Sequence, residues 1–196
     1  GERTILEDVD FTLNRGKVYA IVGESGKGKS TIYNIISKFV DNKDVEVLIN
    51  GNDISEISSA AIYDNIMQVD QKAFTVNKSI RENITLGDNF SDEELNKVIE
   101  VCQLKNLVKQ KGLDFVIDER GENVSGGEKQ RISIARMLIR KPDLLLLDEP
   151  TSALDETTSE NFVRDIVDFA KEENITIVSI THREDFTKKA DEIIRI

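Results

Sequence analysis

Residues Gly23 to Thr31 read GESGKGKST. Gly23, Gly28, Lys29 and Ser30 satisfy the spacing G-x-x-x-x-G-K-[ST], with Glu24, Ser25, Gly26 and Lys27 between the glycines. Glycines let a backbone curl until successive N–H groups point inward, a concave cradle for phosphate oxygens. Lys29 would reach the β- and γ-phosphates, and the Ser30 hydroxyl can ligate Mg²⁺. A helix opening at this point adds its positive N-terminal end. At ordinary residue frequencies the four fixed positions recur by accident in roughly one chain of this size in a hundred.

Two further groupings could act with that loop. Asp148 and Glu149 follow the run Leu144 to Leu147. A carboxylate at a strand end can hold Mg²⁺, here Asp148, while Glu149 is suited to orient or deprotonate an attacking water. Alone, such a pair is equally a solvated acidic corner; beside a phosphate loop it gains a task. The segment Val124 to Glu128 reads VSGGE. Ser125 and Glu128 have capping-box spacing, so a helix should start there. Gly126 and Gly127 leave that helix start bare, which makes it a second anion site.

The surrounding pattern supplies the elements that must position these groups. Val18 to Val22 is a short apolar run that ends at Gly23 and reads as a buried strand. Ile32, Ile35, Ile36 and Phe39 follow at helical spacing. Val45 to Ile49, before Asn50-Gly51, reads as a strand entering a tight turn. Ser91 and Glu94 form another capping box, followed by Leu95, Val98, Ile99 and Cys102 on one face. Helical signal dominates from Asp92 to Arg140, with a break near Asp114 to Asn123. Pro142 ends it. Leu144 to Leu147 and Ile175 to Ile180 are continuous apolar runs, as expected of strands covered on both faces of a parallel sheet. The sum is an α/β domain with a mostly helical insertion from about Lys72 to Ile139. Ligands of such sheets bind beyond the carboxyl ends of the strands, where the segments after Val22, Leu147 and Ile180 all fall.

The chain has 196 residues, 26 Lys plus Arg against 37 Asp plus Glu, and a net charge of −11. That is one domain, with or without a subdomain. Its acidity keeps it soluble and argues against nucleic acid as a partner, because phosphate backbones need clustered cations. Cys102 is the single cysteine, so an intrachain disulfide is excluded and a reducing compartment fits. No apolar run approaches the roughly 18 residues of a membrane span. The chain lacks an initial Met and a signal sequence, and reads as a part of something larger.

With the loop, the acidic pair and VSGGE in one chain, the sequence resembles the ATP-binding domain of ABC transporters over essentially its whole length. VSGGE, followed by Lys129-Gln130-Arg131, resembles that family's signature motif. The resemblance implies a P-loop hydrolase fold with a mostly parallel sheet and an antiparallel β part near the N-terminus. Residues 1–71 and 140–196 would form the catalytic core, and 72–139 a helical subdomain. It implies ATP and Mg²⁺ as ligands, with Lys29, Glu149 and His182 catalytic and Ser30, Asp148 and Gln71 at the metal. It also implies that Ser125, Gly126, Gly127 and Glu128 face the γ-phosphate held by a second copy, in a head-to-tail dimer with ATP sandwiched between the copies. Gln is commoner than Glu at the last signature position, so Glu128 brings a carboxylate towards phosphate. Gln71, in QKAFTVNKSI, is similar to the Q-loop glutamine that couples the site to a membrane domain. His182, the single histidine, falls where the family has its switch histidine, and Ser152 to Asp155 resembles the D-loop.

Glu119-Arg120-Gly121 and Ser79 to Ile84 resemble the exporter branch, although Pro150 is commoner outside it. That branch implies work at the cytoplasmic face of a membrane beside a transmembrane domain. The alternative is a soluble ATPase subunit of the same class, unfused to a membrane domain, in an importer or a non-transport role. Heads with long coiled coils are disfavoured, because no heptad run separates the phosphate loop from Val124. The family's adenine-stacking aromatic normally lies just upstream of Gly1, and Tyr19, within the first strand, cannot replace it. The expectation is a trimmed domain that binds ATP more weakly than a longer version.

Overall fold

A computed structural model describes residues 9–24, 26–40 and 45–196. Five parallel strands make its central sheet: β1 (Val18–Val22), β4 (Ile66–Val69), β5 (Leu144–Asp148), β6 (Thr176–Ile180) and β7 (Glu192–Arg195), in the order β4-β5-β6-β1-β7. The continuous apolar runs have a direct cause. Val18, Leu145, Leu147 and Ile177 enter one apolar cluster, while Tyr19, Ile21, Leu146, Val178 and Ile180 enter another. Successive side chains of a strand point to opposite faces, and here both faces are covered, so both sets are mostly apolar.

Helix α1 (Lys29–Ile36) covers the second face with Ile32, Tyr33 and Ile36. On the first face lie α3 (Ile80–Thr85), α4 (Asp92–Val101), α6 (Gly126–Leu138) and α7 (Glu156–Glu172). They bring Ile80, Leu95, Ile134 and Phe162 to the same cluster as Leu145 and Leu147. The sequence signals for α4 and α6 hold in detail. Ser91 with Glu94, and Ser125 with Glu128, each form a reciprocal capping box. Leu95, Val98, Ile99 and Cys102 are all buried. Burial pushes the Cys102 thiol up, which keeps it protonated.

Three expectations need correction. Phe39 does not extend the buried face of α1: that helix ends at Ile36, and Phe39 is exposed, stacked on Tyr63 at 5.7 Å. Its helical spacing continued past the point where Lys38 turns left-handed, with φ 57°. The strand expected over Val45 to Ile49 shrinks to β2 (Leu48–Ile49), paired antiparallel with β3 (Asn52–Asp53). Asn50 and Gly51 both have positive φ, 53° and 82°, as a two-residue hairpin turn requires. The helical break is also wider, because α5 (Lys105–Lys111) is a short separate helix and α6 starts only at Gly126. The remaining elements among the described residues are a 3₁₀ turn (Ile54–Glu56), α2 (Ser59–Asn65) and α8 (Glu184–Thr187). Among the described residues, no helix is long and apolar enough to cross a membrane.

Candidate active site

Strand order explains why distant residues meet. In the order β4-β5-β6-β1, the carboxyl ends carry, in turn, Gln71, Asp148 with Glu149, His182, and the loop from Gly23. Four adjacent parallel strands therefore deliver four segments to one edge.

The phosphate loop leaves β1 under a tight constraint. A Cβ on Gly23 would come within 2.2 Å of the Ile196 carbonyl oxygen, so only glycine fits there. Gly28, with φ 88°, is the N-cap of α1 and is accessible to few other residues. No side chain caps α1 and its first turn holds no acidic residue, so its positive end stays uncompensated. Lys29 is buried and folds its ammonium onto the loop, donating to the carbonyls of Gly23 and Glu24 at 2.7 Å each. Glu24, Gly26, Lys27 and Ser30 are exposed, and Thr31 is half-buried. Ser25 lies outside the described residues.

The Ser30 hydroxyl lies 3.4 Å from a carboxylate oxygen of Asp148. Burial, and then the neighbouring Glu149 carboxylate, push the Asp148 carboxyl above its usual range. A carboxylate short of positive charge, facing a hydroxyl, is a hard-oxygen donor pair that fits Mg²⁺. Among the described residues no three His, Cys, Asp or Glu side chains gather into a complete metal cage. A metal here would take its other ligands from phosphate and water, as Mg²⁺ commonly does.

Glu149 sits in a left-handed conformation, φ 46°. Its N–H donates to the Ile180 carbonyl at 2.9 Å, which ties it to the end of β6. Its carboxylate accepts from the Gln71 amide at 2.9 Å. The other carboxylate oxygen lies 3.7 Å from His182 Nε2, beyond hydrogen-bond reach but close enough for an ion pair with a protonated ring. A cavity of about 80 Å³ opens between them, lined by Glu149, Thr151, Ser152, Thr181, His182 and Arg183. The buried Thr151 hydroxyl has no protein partner among the described residues, and the cavity is large enough for ordered water.

Ser125, Gly126, Gly127 and Glu128 stand elsewhere. A Cβ on Gly127 would meet the Leu154 side chain at 3.0 Å and the Ala153 carbonyl at 3.4 Å. That helix start thus packs on the Ser152–Asp155 segment, and no hydrogen bond among the described residues joins it to the phosphate loop. The Glu128 carboxylate turns back to accept from its own Ser125 N–H at 2.7 Å. Tyr19 is fully buried, so no base can stack on it.

Sequence reasoning missed three residues around this site. The Tyr33 hydroxyl accepts from Ile180 N–H at 2.8 Å and faces the carbonyls of Val178 and Leu147, bridging α1 to β5 and β6. Arg183 donates to the carbonyls of Thr151 and Leu154, tying the His182 segment to 152–155. Gln130 donates to the Glu149 carbonyl at 2.9 Å. The last had a signal: it lies on the helical stripe of Ile134 and Leu138, where an apolar residue is expected.

The family model described as ABC transporter matches residues 6–152. The chain is 40% identical over 196 residues to the iron-sulfur clusters transporter ATM1 of Candida albicans, covering 98% of this chain and 26% of that protein. It is 37% identical to the ATP-dependent lipid A-core flippase of Vibrio vulnificus, covering 100% of this chain and 34% of the relative. It thus spans about a quarter to a third of such relatives. The solved structure of a bacterial Atm1-family ABC exporter with ATP bound superposes with a TM-score of 0.85 at 34% identity, covering 92% of this chain and 32% of that one.

Proposed function

The chain belongs to the ABC transporter family, and from that membership we propose that it binds and hydrolyses Mg-ATP as the motor domain of an exporter. The observation that carries the hydrolytic reading is the convergence of Gln71 and His182 on Glu149, beside Asp148 and the phosphate loop.

Gly23 to Thr31 hold the phosphates, with Lys29 released from the carbonyls of Gly23 and Glu24 to meet them. Ser30, Asp148 and Gln71 would hold the metal. Mg²⁺, when bound, offsets the phosphate charge and orients the terminal phosphate. Glu149 accepts a proton from the attacking water. Gln71 fixes the carboxylate's direction, and His182 donates to the terminal phosphate. Residues 1–71 and 140–196 supply this hydrolytic core, while 72–139 present the α6 helix start.

Ser125, Gly126, Gly127 and Glu128 serve the phosphate of a second copy, which the lack of any hydrogen bond from them to their own phosphate loop among the described residues supports. The names of the relatives, transporters and a flippase, support a transmembrane partner; the face of the membrane on which the domain works is proposed to be the cytoplasmic one. The test is Glu149→Gln in a phosphate-release assay, where turnover should fall by roughly 10²–10⁴-fold, the usual worth of a general base. Hydrolysis at the unsubstituted rate removes Glu149 from that role.

A further inference from the structure

Gln130 lies one turn into α6 and is 2% exposed. Its Nε2 donates to the main-chain carbonyl of Glu149 at 2.9 Å, while its Oε1 is buried with no partner among the described residues. A buried amide with one unpaired oxygen is a poor choice for packing, because Met or Leu would fill the same space with no orphaned acceptor. Reversing the amide would set Oε1 against the Glu149 carbonyl oxygen, so the orientation is fixed. What the position gains from the amide is that single donated hydrogen bond.

Its acceptor needs holding. Glu149 is a non-glycine residue at φ 46°, a conformation that persists only where the surroundings over-determine it. Three hydrogen bonds do so: its N–H to Ile180, its carbonyl from Ser152 N–H at 3.2 Å, and its carbonyl from Gln130. Only the last comes from a side chain. The left-handed backbone in turn aims the carboxylate at Gln71 and His182.

Resting on the reading of Glu149 as the base, we infer that Gln130 is a positioning residue for hydrolysis. It fixes the Glu149 peptide and so binds the helix that begins at Ser125 to the reacting carboxylate of the same chain.

The test is Gln130→Met in the full chain, alone and combined with Glu149→Gln. Gln130→Leu serves as a second apolar variant that lacks the donor. With the carboxylate loosened by a fraction of an ångström, kcat should fall about 10- to 100-fold, with KM for ATP and Tm nearly unchanged. In the Glu149→Gln background the same substitution should cost nothing further, because its effect passes through that carboxylate. A folded Gln130→Met or Gln130→Leu chain with undiminished kcat overturns the inference, as does a loss that multiplies fully with that of Glu149→Gln. If Glu149→Gln itself hydrolyses at the unsubstituted rate, the reading of Glu149 fails and this inference with it. A slow Glu149→Gln beside a fast Gln130→Met sinks the inference alone.

Discussion

The side-chain amide of Gln71 donates to the Glu149 carboxylate at 2.9 Å, across 78 residues of sequence. The contact exists because β4 and β5 are neighbours in the sheet and both segments leave their carboxyl ends. Gln71 is exposed and Glu149 is half-buried, so the bond is accessible to water and serves direction more than stability. Gln71→Ala should therefore leave Tm unchanged and lower turnover about tenfold, the worth of one hydrogen bond to a charged group. Equilibrium ATP binding should stay close to that of the unsubstituted chain. Steady-state phosphate release beside a binding titration checks both halves, and an unaltered turnover would free Glu149 from any dependence on Gln71.

Much of this architecture was legible in the residues. The runs Leu144 to Leu147 and Ile175 to Ile180 mark central parallel strands, where burial on both faces gives a mostly apolar run with no alternation. The capping boxes at Ser91 and Ser125 located two helix starts to the residue. The signal failed where short-range pattern and chain direction part: Phe39 kept helical spacing after the backbone had left the helix. The phosphate loop and the acidic pair were readable because their chemistry lies in consecutive residues. Tyr33 and Arg183 were not, because their acceptors are main-chain carbonyls brought near only by the sheet, and a carbonyl carries no sequence signature.

Tyr33 gives a stability prediction. Its hydroxyl is fully buried, accepts from Ile180 N–H and points at the carbonyls of Leu147 and Val178. Burial raises its pKa well above the usual tyrosine value, so it stays neutral and able to donate. Tyr33→Phe keeps the ring packed between Ile32 and Ile36 but leaves those strand-end groups unpaired. The expected loss is about 1–3 kcal/mol, read as a lower urea midpoint with an unchanged slope. Because Ile180 also anchors the Glu149 N–H, turnover should fall as well. A midpoint equal to that of the unsubstituted chain would show that water replaces the hydroxyl at no cost.

Glu173, just past α7, ties three elements together. Its carboxylate meets Lys141 at 2.8 Å and Lys97 of α4 at 3.1 Å. Lys141, and then Lys97, hold its carboxyl below the ordinary glutamate range. A carboxyl with a depressed folded-state pKa contributes stability that is present above its unfolded value and disappears as pH falls through the folded one. Glu173→Gln should thus lower stability at neutral pH by up to about 1 kcal/mol, the scale of a solvent-screened pair. The gap between variant and parent should begin to close as pH falls through the ordinary glutamate range and vanish only below it, past the depressed folded-state value. Denaturation midpoints taken at several pH values would test this, and a gap that widened towards acid would reverse the assignment.

Glu128 poses the last question, because a carboxylate beside an incoming phosphate should repel it. The geometry offers part of an answer: the carboxylate is already spent on Ser125 N–H at 2.7 Å, folded back along the helix start. Glutamine at that position can make the same reciprocal cap, so Glu128→Gln should lower stability by no more than about 1 kcal/mol, the worth of a carboxylate in a helix's first turn. It removes one negative charge from a helix end whose N–H groups and positive dipole favour anions. On the proposal that this helix end meets the ATP of a second copy, pairing in the presence of ATP should tighten several-fold in the variant. The effect should be largest at low ionic strength, where exposed charges act over longer distances. Sedimentation of Glu128→Gln in a Glu149→Gln background, which preserves bound ATP, measures it directly. A dimer affinity unchanged at every salt concentration would mean that the Glu128 charge never approaches the phosphate.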